Sequence, residues 1–174
     1  MHKDSQPTFR EACPADARWV CEILNQSILN DVARFEVEPW SLDQAAAWLA
    51  DREPMHRVVV SELGGRVAGF ASLGPYNTKC GYRATVELSV YVDQGFRGQG
   101  LGKAMCKQLI DQAGVAGVHL VVSRIAGEMT ASLRLHESLG FDRVGVLKQA
   151  GFKFGRWIDV VFMQLLVGQE APKA

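Results

Sequence analysis

The segment Val86–Met105, VELSVYVDQGFRGQGLGKAM, constrains the fold more than any other part of the chain. An alternating apolar run ends at Val92, and Gly95, Gly98, Gly100 and Gly102 follow before a helical pattern begins. A strand over Arg83–Asp93 places Val86, Leu88, Val90 and Val92 on one face and Glu87, Ser89 and Tyr91 on the other. A helix over Gly100–Ala113 then turns Leu101, Met105 and Leu109 to one side. Glycines let the backbone bend sharply and bring several N–H groups close to a ligand, while the helix N-terminus adds partial positive charge. Strand, glycine turn and helix in this order form a seat for a phosphate or pyrophosphate.

The rest of the chain sets limits on what surrounds that seat. With 174 residues it holds one domain with a full core, expected over about 8–166. Nineteen basic residues balance nineteen acidic ones, which gives no support for a nucleic-acid partner or an anionic membrane surface. No apolar run approaches the ~20 residues of a membrane-spanning helix, and the opening MHKDSQPTFREA lacks an apolar signal core. A cytoplasmic protein is the expectation. Cys13, Cys21, Cys80 and Cys106 are too scattered for a metal site and read as reduced thiols, and His2, His56, His119 and His136 show no metal motif. No metal is expected.

Further elements follow from punctuation and periodicity. Thr8–Glu11 reads as a first strand. Pro14 opens a helix whose apolar face carries Ala17, Val20, Leu24 and Ile28. SLDQ at Ser41 is a capping box for a second helix. Gly64-Gly65 joins strands Arg57–Leu63 and Arg66–Leu73 as a hairpin. Leu120–Ile125 is a buried strand, and Thr130–Leu139 a helix stopped by Gly140. Val144–Leu147 and Trp157–Leu166 read as an antiparallel pair joined by a loop, KQAGFKFGR. The polar tails, 1–6 and 168–174, are expected to be mobile. The order β-α-α-β-β-β-α-β-α-β-β predicts an α/β (α+β) fold, a mixed, mostly antiparallel sheet with helices on both faces.

The glycine turn fails two familiar tests. The nucleotide P-loop needs glycine at Arg97 and Ser or Thr at Ala104, and the dinucleotide fingerprint needs glycine at Lys103 or Met105. What remains, Arg97-Gly98-Gln99-Gly100-Leu101-Gly102, resembles the coenzyme A pyrophosphate loop of the GCN5-related N-acetyltransferases. FREACPADA resembles that superfamily's first strand and turn. YRATVELSVYV, SLRLHESLGF and VGVLKQAGFKFGRWIDVVFMQ resemble a narrower group, the phosphinothricin and methionine sulfoximine acetyltransferases. The resemblance runs from about residue 8 to about 166.

That resemblance implies a GNAT-like fold, acetyl-CoA as co-substrate, a small-molecule amine as acceptor and a homodimer with KFGRWIDV near its interface or the pocket rim. It implies that backbone amides of Gly98, Gln99, Gly100, Leu101, Gly102 and Lys103 hold the pyrophosphate, with Arg97 and Lys103 as nearby cations. It implies that Val90, Tyr91 and Val92 bond the pantetheine arm through their backbone, one N–H serving as oxyanion donor, and that Ser132 is a retained cofactor contact. Glu87 is the leading general base. A carboxylate in mid-strand is unwelcome unless it lines a cleft, and apolar neighbours are expected to raise its pKa. The resemblance carries a catalytic or orienting role onto His136, while His119 and Cys106 read as packing groups.

The substrate side departs from the pattern. Where the group often has arginines before TVE, this chain has GPYNTKCGY, with Lys79 at one such position and Arg83 as a second cation. Tyr76, Tyr82 and Phe35 complete the expected substrate contacts. Met129 stands where asparagine is common, and cannot offer an amide to the cofactor. Three functions stay open: acetylation of a small amino acid such as methionine sulfoximine, methionine sulfone or phosphinothricin, which would detoxify glutamine analogues; acetylation of a polyamine, an antibiotic or a protein N-terminus; and a non-catalytic acyl-CoA-binding module.

Overall fold

The computed structural model describes residues 6–168, so most of the two polar tails lies outside the described residues. Seven strands form one sheet in the order β1-β2-β3-β4-β5-β7-β6. They are β1 (Thr8–Glu11), β2 (Val58–Leu63), β3 (Arg66–Pro75), β4 (Thr85–Val92), β5 (Leu120–Ala126), β6 (Asp142–Lys153) and β7 (Arg156–Leu166). Only β4 and β5 run parallel, joined by a helical crossover; every other pair is antiparallel. The helices are α1 (Ala17–Asn30), α2 (Leu42–Ala50), α3 (Leu101–Ala113) and α4 (Thr130–Glu137).

The two-residue period of the strands divides the core. Val59, Ala71, Leu73, Val86 and Leu88 bury against Leu101, Met105 and Leu109 of α3 and Leu133 of α4. Their sequence neighbours Val58, Val60 and Phe70 point the other way, against Val20, Ile23 and Leu24 of α1. Helices therefore cover both faces, as the alternation requires. Local chemistry ends the elements where the sequence says it should. Asp16, buried ahead of α1, accepts from the Cys13 N–H at 2.8 Å and from Arg10 at 2.7 and 2.8 Å. Ser41 and Gln44 form the reciprocal capping box of α2, and Gly64 and Gly65 both take positive φ in the β2–β3 hairpin.

One reading needs correction. KQAGFKFGR is not a loop: β6 runs on to Lys153, and the turn to β7 is only Phe154-Gly155. Lys148-Gln149-Ala150 form a bulge, where the register shifts between Leu147 and Gly151 and Gln149 takes φ 54°. Asp159 of β7 supports it, accepting from the Gln149 N–H at 2.9 Å and from Lys148 Nζ at 2.7 Å. The bulge breaks the alternation that identifies a strand in sequence.

Candidate functional site: a split sheet between two cavities

β4 and β5 start as neighbours and then part. Their pairing covers only Thr85–Glu87 against Leu120–Val122, although both strands continue beyond it. Ser123 Oγ donates to the Leu88 carbonyl at 3.2 Å, a side chain standing in for the next rung. The Asp93 N–H donates to the Ala68 carbonyl at 2.9 Å, which fixes the phase of the β3–β4 ladder. Ser89 and Tyr91 therefore turn their backbone groups to β3, while Val90 and Val92 turn theirs into the gap beside β5. Of the three residues expected to offer backbone bonds, Val90 and Val92 present them to the gap, and Tyr91 contributes its ring.

A cleft of about 500 Å³ opens along that gap. Val90, Val92, Arg97, Gly98, Gly100, Leu101, Gly102, Lys103 and Ser132 line it; Gln99, between two of these glycines, is exposed and off the wall. Gly98 and Gly100 both sit at φ 79°, a region that L-residues avoid, with open space where a Cβ would be. Gly100 is also the N-cap of α3, so the turn brings unpaired N–H groups and the positive helix end to the same place. Arg97 is committed to holding the turn: it donates to the Val92 carbonyl at 3.1 Å and to Asp31 at 3.2 Å. Met129 lines the cleft with its thioether.

A second cavity of about 600 Å³ lies across β4, lined by Arg34, Phe35, Glu36, Glu87, Ser89, Tyr91 and Arg124 together with residues of β6 and β7. A small junction of about 40 Å³, bounded by Ser89, Val90, Tyr91, Arg124, Ser132 and His136, shares walls with both. Two residues of β6 anchor the irregular segment that carries Arg34, Phe35 and Glu36. Lys153 of β6, only 2 % exposed, donates through Nζ to the Asp31 and Arg34 carbonyls at 2.8 and 2.6 Å. Gly151 leaves room for the Phe35 ring, which any Cβ there would overlap.

The charges in this cavity are paired. Glu87 accepts from Arg124 Nε at 2.7 Å and from Nη2 at 2.5 Å. The apolar surroundings expected for Glu87 are thus replaced by a guanidinium, reached because Arg124 lies two residues beyond Val122, Glu87's partner in the ladder. Arg34 pairs with Glu36 and stacks over Trp40 and Tyr91 at 5.0 and 5.6 Å from the ring centroids. Burial works against the charged form of Glu36, but Arg34 outweighs it and holds the carboxyl below its usual range. Burial pushes the Tyr91 phenol up, so it stays protonated.

His136 is 2 % exposed, and its Nδ1 lies 2.8 Å from the Ser132 carbonyl. A carbonyl only accepts, which assigns the proton to Nδ1 and leaves a lone pair on Nε2. Nε2 is buried without a hydrogen-bond partner among the described residues. Burial lowers the pKa of this imidazole below 6.5, so it is neutral at pH 7.

The structure brings Glu87, His136, Tyr91, Ser132, Phe35 and the glycine turn around these adjoining cavities. It does not bring Lys79, Tyr82 or Arg83 to their walls. Tyr76, which stacks edge-on against Tyr82 at 5.5 Å, is close enough to Arg124 to act on its charge, but it too is off the wall. Sequence reasoning missed Arg34, Glu36, Arg124 and Lys153. Arg124 carried a usable signal, a lone charge inside LVVSRIA, by the same logic that singled out Glu87. Cys106 and Cys21 are buried, and all four cysteines are free thiols.

A split parallel pair, a glycine turn at its open end and a carboxylate where pairing stops define an acyl-CoA-dependent transferase. The chain belongs to the acetyltransferase (GNAT) family, whose model matches residues 25–141. It is 41% identical over 165 residues to the L-methionine sulfoximine/L-methionine sulfone acetyltransferase of Salmonella typhimurium, covering 94% of this chain and 96% of that one. It is 36% identical to a phosphinothricin N-acetyltransferase of Streptomyces viridochromogenes, covering 94% and 90%. The solved structure of yncA, an acetyltransferase of Salmonella typhimurium with its cofactor acetyl-CoA, superposes with a TM-score of 0.94 at 40% identity, covering 98% and 99%. The chain is an N-acetyltransferase that uses acetyl-CoA as co-substrate. The residues present fit that group: glycines at positive φ leave the turn open, and the gap exposes unpaired polar backbone at the centre of a sheet, where a ligand with amide groups can bond it.

Proposed function

We propose that this enzyme acetylates the α-amino group of a small amino acid, such as methionine sulfoximine, methionine sulfone or phosphinothricin. One observation carries the reading: Glu87 sits where β4 leaves β5, in the wall of a cavity that shares Tyr91 with the cofactor cleft. The full-length similarity to acetyltransferases named for these substrates supports the same choice. Acetyl-CoA supplies an activated acyl thioester. The residues do the rest. Glycine-turn amides, with Lys103, hold the pyrophosphate, and the Val90 and Val92 backbone holds the pantetheine arm alongside Ser132. One backbone N–H in the gap is the hydrogen-bond donor for the acyl oxygen. Glu87 takes a proton from the substrate ammonium and so provides the neutral amine. His136 keeps a second lone pair, and Tyr91 an O–H, at the junction.

The proposal includes one acetyltransferase domain with its core over about 8–166, working in the cytoplasm to detoxify glutamine analogues. It also includes a homodimer. Val144, Val146, Phe152, Phe154 and Trp157 leave an exposed apolar surface on β6, the edge strand, on the turn after it and at the start of β7. A second copy is its natural cover.

Free-thiol release from acetyl-CoA, followed across these three compounds, ordinary amino acids, spermidine and an aminoglycoside, tests the reading. Release is expected with the amino acids. Glu87→Gln is expected to lower turnover by about 10²–10⁴ while leaving acetyl-CoA affinity nearly unchanged. Release with spermidine or the aminoglycoside alone overturns the substrate, and retained turnover in Glu87→Gln overturns the base.

A further inference from the structure

Arg124 does more than neutralise Glu87. A guanidinium is a planar fork with two separate edges, each able to engage a carboxylate bidentately. The Nε/Nη2 edge is committed to Glu87. Among the described residues no hydrogen bond is made by Nη1, so the outer edge is open. The side chain is 53% exposed, whereas Glu87 is only 18% exposed. Arg124 also lines both the large cavity and the small junction that shares walls with the cofactor cleft.

The other arginine of the cavity is differently placed. Arg34 has its charge matched by Glu36, its faces covered by Trp40 and Tyr91, and its side chain only 16% exposed. It is built into the wall. Lys79 is off the wall altogether. Arg124 is thus the cation best placed to meet an incoming anion.

We propose that Arg124 is a specificity-determining residue that binds the carboxylate of an α-amino acid on its outer edge and thereby presents the adjacent amine to Glu87 on its inner edge. One guanidinium orients both the base and the substrate. The geometry works only when the amine sits on the carbon next to the carboxylate, because the two edges of the fork are themselves adjacent. The inference rests on the proposed acetylation of amino acids with Glu87 as base.

The test compares L-methionine sulfone with two probes: its methyl ester, and the amine that differs from it only by lacking the carboxylate. kcat/KM is measured for each with the wild type, Arg124→Gln and Arg124→Lys. The wild type is expected to favour the free amino acid over both probes, mainly through KM. Arg124→Gln is expected to shrink that preference by about tenfold or more, the scale of a lost bidentate contact. Arg124→Lys, a point charge without the fork, is expected to fall between them. Arg124 variants that slow all three compounds equally would leave Arg124 as a partner of Glu87 only and overturn the inference. A wild type that shows no preference for the carboxylate also overturns it, with the acetyltransferase reading intact. A wild type that acetylates spermidine but none of these compounds overturns the substrate reading itself. The methyl ester keeps the wild-type comparison decisive even if a variant misfolds.

Discussion

The two halves of the site are built from different materials. In the cofactor cleft the hydrogen-bonding groups offered to a ligand come mainly from backbone: a strand that leaves its neighbour, two glycines at positive φ and the first turn of a helix. The substrate cavity is mostly side chains, contributed by the segment after α1 and by β4, β5, β6 and β7. Backbone sites suit a ligand that never changes, because they depend on the conformation of one continuous segment. Side-chain sites can be altered one residue at a time.

Damage to one half should therefore spare the other. The largest effect is expected from Gly151→Val, whose side chain would overlap the Phe35 ring and drive it from its place in the cavity wall. Lys153→Met acts on the segment that carries this ring by stranding the Asp31 and Arg34 carbonyls, at a cost of about 1–3 kcal/mol each. Steady-state kinetics should show KM for the amino acid rising roughly tenfold or more in both variants, with acetyl-CoA affinity by calorimetry close to wild type. Equal loss of both ligands would break the comparison.

A smaller effect is expected at the other half. Gly100→Ala meets no atom, so its whole penalty is the left-handed backbone, about 1–2 kcal/mol. Acetyl-CoA binding should weaken about tenfold, while KM for the amino acid at saturating cofactor barely moves. The smallest effect belongs to His136, at the junction. Its pKa is lower folded than unfolded, because burial disfavours the imidazolium. The unfolded state therefore binds the proton first, and stability is lost as pH falls below about 6.5 toward the folded value. Urea midpoints at pH 7.5 and 5.5 should differ less in His136→Gln than in the wild type.

The same contrast explains how much the sequence could tell. The glycine turn, the valine face of β4, the capping box at Ser41 and the β2–β3 hairpin were legible because each is a local pattern with its own backbone geometry. The position of Glu87 was legible because a charge in an apolar strand is anomalous. Its partner was not, since nothing local links residue 87 to residue 124 until the ladder brings β5 alongside. Lys153 was hidden for a further reason. Its strand carries a bulge, and the resulting KQAGFK run has the composition of a loop. The cations expected in the loop before TVE were placed by resemblance to a motif. The cavity is instead walled by arginines from an irregular segment and from a strand.

The open fork between β4 and β5 also makes this sheet complete only in company. A ligand that fills the gap joins the cooperative unit that must come apart on unfolding. At one hundred times its dissociation constant, such a ligand adds about 2.7 kcal/mol of stability. The fold's resistance to unfolding therefore rises with the concentration of whatever occupies the gap.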